Sequence, residues 1–111
     1  MEFTKVANTI YSISVKYSFD PEYPSPTEEF IHQLVEGYNG NVNGFAAWFE
    51  NNCKILYLCY SKRPEWIQNP EWPLINGKPG YFIGQIDAGA NSYYVFYDRE
   101  TGETKTIVQT E

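Results

Sequence analysis

The stretch from Arg63 to Asp87 constrains the fold of this chain more than any other. It reads Arg-Pro-Glu-Trp-Ile-Gln-Asn-Pro-Glu-Trp-Pro-Leu-Ile-Asn-Gly-Lys-Pro-Gly-Tyr-Phe-Ile-Gly-Gln-Ile-Asp. Pro64, Pro70, Pro73 and Pro79 each fix φ and remove a backbone donor, so neither a helix nor a central strand runs between Ser61 and Gly80. Long ordered loops need specific contacts to hold them, and they tend to be functional. Trp72 is expected to pin the loop, because the Pro73 and strand that follow fix its direction. Trp66 is read either as a second pin or as an exposed interface anchor. The loop runs into an apolar strand, Tyr81–Ile86, broken by Gly84-Gln85. Gln85 is expected to satisfy backbone groups of the loop, with a place in a ligand pocket as the alternative.

The rest of the chain divides by pattern. From Thr9 to Phe19 the residues Thr9, Tyr11, Ile13, Val15, Tyr17 and Phe19 share one parity, with Ile10 the apolar exception on the other, which predicts a half-buried strand. Ser25-Pro26-Thr27-Glu28 predicts a helix start, with Ser25 as N-cap and Glu28 closing a capping box. Phe30, Ile31, Leu34 and Val35 supply its apolar stripe, and Gly37 its stop. Phe45–Glu50 and Cys53–Tyr60, joined by Asn51-Asn52, read as a hairpin, although Phe45–Glu50 also fits a helical turn because alanine is a weak strand former. Ile55–Tyr60, apolar on both faces, suits the centre of a sheet. Ser92–Asp98 and Glu103–Gln109 read as further strands, the last at an edge. The sum is a single domain, residues 1–111, of α+β class: one helix packed on a mostly antiparallel sheet of five or six strands.

Composition limits the function. Ten Tyr, seven Phe and three Trp suit half-exposed contact surfaces and argue against disorder. The net charge of −6 argues against nucleic acid, whose phosphates need a basic footprint. The acids are bunched: no Lys or Arg falls between Tyr17 and Cys53, where Asp20, Glu22, Glu28, Glu29, Glu36 and Glu50 lie. Such asymmetry steers a cationic partner, or simply gives a solvated face. No signal-peptide pattern and no membrane-length apolar run is present, so a cytoplasmic protein is expected. Cys53 and Cys59, placed on one strand, would sit roughly 20 Å apart, too far for a disulfide. No cofactor motif appears. The only histidine, His32, shares a helix face with Glu28 and Glu36, which reads as a polar face rather than a metal site.

Trp72-Pro73, Asn76-Gly77-Lys78-Pro79 and Tyr81-Phe82-Ile83-Gly84-Gln85-Ile86-Asp87 together resemble a signature of the YwqG-like family of bacterial proteins. Those carry a Trp-Pro, then a Gly-Lys-Pro, then an apolar strand ending near Ala-Gln-Ile-Asp. The resemblance covers some sixteen residues, has Gly84 in place of alanine, and implies no activity. In size, acidity and aromatic content the chain also resembles bacterial immunity proteins, many of which occlude the active site of a basic toxin.

Catalysis finds no support in the sequence, and the chain is read as a binding protein rather than an enzyme. The expected partner is a basic protein, steered by Asp20, Glu22, Glu28, Glu29 and Glu36 and anchored by Tyr23, Tyr38, Trp48 and Trp66. The alternative is a small-molecule binding module built on the sheet and the Trp66/Trp72 loop.

Overall fold

The computed structural model describes residues 1–111, with helices first and strands second. Helix α1 spans Phe3–Lys16, α2 spans Ser25–Glu36 and α3 spans Val42–Leu56. A short hairpin follows, β1 (Leu74–Ile75) and β2 (Lys78–Pro79), then β3 (Tyr81–Ala88), β4 (Asn91–Tyr97) and β5 (Thr104–Thr110). The class is α+β. The finer expectation is corrected: there are three helices rather than one, and two antiparallel sheets, of two and three strands, rather than one sheet of five or six.

The expected strand at Thr9–Phe19 is mostly helix because a second pattern overlies the alternation. Val6, Ile10, Ile13 and Tyr17 recur at helical spacing and are the buried residues. Ile10, the exception to the strand parity, is fully buried, whereas Val15 on the supposed core face is 79% exposed. Ser18 follows at φ 65, the left-handed residue that closes a helix C-terminus, and the Phe19 N–H donates to the Ser14 carbonyl.

The expected hairpin across Asn51-Asn52 is likewise helix. Phe45, Phe49 and Cys53, four apart, form one buried stripe, and Asn41 caps the start by accepting the Gly44 N–H at 3.0 Å. Asn52 returns its side-chain amide to the Trp48 carbonyl one turn back, so it sits within a helix that it was expected to break. Ile55 and Tyr60 are exposed, which removes the run from a sheet centre. Only Leu58–Tyr60 touches the sheet, through a parallel bridge of Cys59 with Phe82.

Helix α2 lies where the sequence places it, with Ile31 and Val35 buried. Its cap differs from expectation. Pro24 is the N-cap, so Ser25 already lies within the first turn and no side chain caps the helix. The Pro24 carbonyl accepts from Thr27 and Glu28 instead.

Strands β3, β4 and β5 pair in sequence order, with a bulge at Ile83 between Phe82 and Gly84. Asn76 and Gly77, at φ 53 and 80, form the two-residue turn between β1 and β2. Asp98 is buried and accepts from the Asn76 side-chain amide and the Glu100 N–H, both at 2.8 Å. Those donors, the Asn76 amide foremost, hold its carboxyl below the usual range. The inner face of the sheet presents Phe82, Tyr94 and Phe96 to the core, while the outer face carries the exposed Ile86 and Val108.

Between helices and sheet lies the chain from Tyr57 to Pro73, and two residues in it join the halves. Trp72 is fully buried, its ring 5.2 Å from both Tyr57 and Phe96. Its indole N–H donates to the Gly80 carbonyl, and its own carbonyl accepts from the Thr27 hydroxyl of α2. Arg63 directs its guanidinium at two helix ends. One nitrogen donates to the Tyr17 carbonyl at 2.6 Å and the Tyr57 carbonyl at 2.8 Å, and another to the Ser18 hydroxyl. Tyr17 and Tyr57 are the C-caps of α1 and α3, so one fixed cation meets the negative ends of two helix dipoles. The same group lies over the Tyr17 and Trp72 rings, at 5.3 and 5.5 Å. Replacing it, as in Arg63→Met, strands both carbonyls. The expected loss is about 2–4 kcal/mol in urea denaturation, from charged hydrogen bonds worth about 1.5–3 kcal/mol each with partial replacement by water. An unchanged midpoint would remove Arg63 from its joining role.

Candidate functional site

The acidic window gathers at the corner where α1 hands over to α2. Asp20 folds the turn by accepting the Glu22 N–H at 2.9 Å. Glu22 and Glu28 then come close to Tyr11 of α1. The Tyr11 hydroxyl is pushed up to about 12, first by the Glu22 carboxylate that accepts its proton in a hydrogen bond. Burial adds to this, as do the charges of Glu22, Asp20 and Glu28. Glu29 and Glu36 are exposed along α2. The ion pairs of the protein are Lys5 with Glu2, Lys16 with Glu50 and Lys78 with Glu100. None involves Asp20, Glu22, Glu28, Glu29 or Glu36, so those five charges have no ion-pair partner within the protein; Glu22, Glu29 and Glu36 are exposed and Asp20 and Glu28 half-buried.

The aromatic residues expected beside them divide. Tyr23 is at the corner, exposed, its hydroxyl donating to Glu71 at 3.3 Å. Tyr38 and Trp48 lie beyond the far end of α2, their rings 4.8 Å apart. Tyr38 also packs edge-on against Phe45, donates its hydroxyl to the Asn41 carbonyl and accepts the terminal amine of Met1 at its own carbonyl. A Cβ at Gly40 would overlap the Tyr38 ring, which explains the glycine there. The residues from Asp20 to Glu28 are therefore one cluster with Tyr11, while Glu36, Tyr38 and Trp48 stand about 12 Å further along the helix at 1.5 Å per residue.

Trp66 belongs to the corner. It is half-buried, its ring 4.4 Å from Tyr94 and stacked toward Phe96, and its indole N–H donates to the Ser18 carbonyl at 2.8 Å. Three side chains of the sheet fasten the backbone around it. Gln85 accepts the Glu65 N–H and donates back to the Glu65 carbonyl. The Tyr94 hydroxyl donates to the Glu65 carbonyl and accepts from Ile67. Gln109, 2% exposed, accepts from both Ile67 and Gln68 and donates to the Asn69 carbonyl. Side-chain amides thus satisfy a segment that has no strand partner, as Gln85 was expected to do.

Between this fastened segment and α1 runs an open trough of about 440 Å³. Tyr11, Val15, Pro21, Pro64, Trp66 and Pro70 give it apolar walls, and Asp20 and Gln68 also line it. Gln109→Ala should loosen one wall selectively. Hydrogen exchange at the Ile67 and Gln68 amides should quicken at least tenfold while the α2 amides keep their rates, and stability should fall by about 1–3 kcal/mol for the groups left unpaired. Uniform acceleration across the protein would mean that Gln109 supports the whole fold and not this segment.

No group of three or more His, Cys, Asp or Glu side chains assembles in a metal-holding arrangement. His32 stacks on Phe3, ring centres 4.3 Å apart. Both cysteines are free, Cys53 inside α3 and Cys59 beyond its end, so they do not share the expected strand. Burial, followed by the charge of Glu50, pushes the Cys53 thiol up to about 12, and burial raises that of Cys59. Because the thiolate is the reactive form, Ellman's reagent at pH 8 should leave Cys53 untouched in the native protein and count two thiols after denaturation. A folded-state value above the unfolded one means that the Cys53 contribution to stability is complete below the ordinary value near 9 and is lost as pH rises towards about 12. Rapid native labelling of Cys53 would contradict this burial.

Sequence reasoning missed Tyr11, Val15, Pro21, Gln68 and Gln109 as neighbours of the corner. Tyr11 and Val15 had been assigned to a strand face, and Gln109 to an edge strand with no visible reason for a buried amide. Comparison with protein-family models, with curated proteins and with solved structures finds no match to this chain.

Proposed function

We propose that this chain is a binding protein that docks on a basic partner protein, in the manner of immunity or inhibitor proteins that occlude a toxin. The observation that carries the reading is the bunching of five acids, Asp20, Glu22, Glu28, Glu29 and Glu36, in a stretch with no Lys or Arg between Tyr17 and Cys53, none of the five in an ion pair. Unpaired like charges bunched in one part of the chain cost the folded protein some self-repulsion, which a cationic partner relieves. The small-molecule alternative loses half of its proposed wall, because Trp72 is fully buried. The trough beside Trp66 is what still favours it.

The test separates position from net charge. Glu22, Glu29 and Glu36 are exposed and are reversed to Lys together, and a control reverses Glu2, Glu103 and Glu111, also exposed, for the same net charge. Circular dichroism first establishes that both variants fold. Against the partner recovered from source lysate, the first triple variant should associate at least tenfold more slowly at low salt, with a flattened salt dependence. The control should stay close to wild type. Equal on-rates for all three proteins would sink the reading.

A further inference from the structure

We infer that the trough between α1 and the Pro64–Pro70 segment is the seat for an extended, proline-containing segment of the partner that carries arginine. The inference rests on the basic-partner reading and specifies what enters the protein. Its walls combine two ring systems, Tyr11 and Trp66, with three prolines, Pro21, Pro64 and Pro70. Flat aromatic and pyrrolidine surfaces match the ridges of a polyproline II chain, which keeps its backbone solvated and needs no strand edge to bind. The walls are set before binding. Proline fixes its own φ, and Trp66 is held by its bond to Ser18 and by a tilted contact with the Tyr94 ring, so little ordering entropy remains to be lost.

Charge complementarity selects the occupant. Asp20 lines the trough, and Glu22 and Glu28 lie near Tyr11 at its side, all without a cation of the protein's own. Arginine answers both features, since its planar guanidinium stacks on aromatic faces and pairs with carboxylates. Val15 is 79% exposed on the trough wall although it is apolar, and a covering segment would bury it. A volume of about 440 Å³ suits a few residues of an extended chain rather than a folded surface.

The probe is a synthetic peptide of prolines with two arginines near one end. Comparison peptides carry citrulline, which keeps the shape and removes the charge, or glutamate. Each is titrated into ¹⁵N-labelled full-length protein at low salt. The arginine peptide should move the Trp66 indole signal and the Val15 and Gln68 amides together. The citrulline peptide should bind at least tenfold more weakly, and the glutamate peptide should leave the spectrum unchanged. Val15→Lys, at a position exposed enough to leave the fold intact, should abolish the response. Shifts confined to Glu29 and Glu36, with Trp66 and Val15 stationary, would overturn the trough while leaving the acidic corner standing. An arginine peptide that moves nothing would also overturn it, and the charge-reversal experiment with the intact partner would then decide the corner separately.

Discussion

The guanidinium of Arg63 is the constraint on which the arrangement depends. Two helices separated by more than twenty residues end against it, and the ring of the tryptophan that fills the centre lies beneath it. A helix C-terminus leaves carbonyls without partners, and burying such an end without donors is costly. Here one side chain with several fixed donors serves both ends. A lysine could not span the same positions with one rigid fork. Because Arg63 starts the proline-rich segment, the course of that segment is tied to the register of α1 and α3 before it reaches the sheet.

From there the segment is held by side chains rather than by backbone pairing. Gln85, Tyr94 and Gln109 come from three adjacent strands and point towards one stretch, Glu65 to Asn69. An amide side chain offers both a donor and an acceptor, so a glutamine does for one residue what a neighbouring strand would do. The prolines prevent a regular strand, and the glutamines make one unnecessary. The same geometry keeps Trp66 half open beside Tyr11, so the apolar trough and the acidic corner share a boundary.

What the sequence disclosed follows from how local the causes are. Helix α2, strands β3 to β5 and their turns were legible because one pattern dominates each, as with the alternation of Ser92, Tyr94 and Phe96. Helices α1 and α3 were not, because two patterns overlap. In α1 Thr9, Tyr11, Ile13, Val15 and Tyr17 satisfy strand parity while Val6, Ile10, Ile13 and Tyr17 recur at helical spacing, and packing of the second set against the core selects the helix. In α3 the pair Asn51-Asn52 looks like a turn, and only the spacing of Phe45, Phe49 and Cys53 shows that the chain passes straight through it. The acids of the corner were visible as a run of one sign. The trough was not, since its walls come from residues some fifty positions apart that no local pattern connects.

The dependence of Ile67 and Gln68 on Gln109 sets an order of assembly. During synthesis α1, α2 and α3 emerge first. The Trp66 segment emerges next, but the amide that fixes it is carried by the last strand, about forty residues later. One wall of the trough can thus exist on a nascent chain well before the other. The trough is complete only once β5 has joined the sheet, so its geometry depends on a contact that closes across about forty residues of chain.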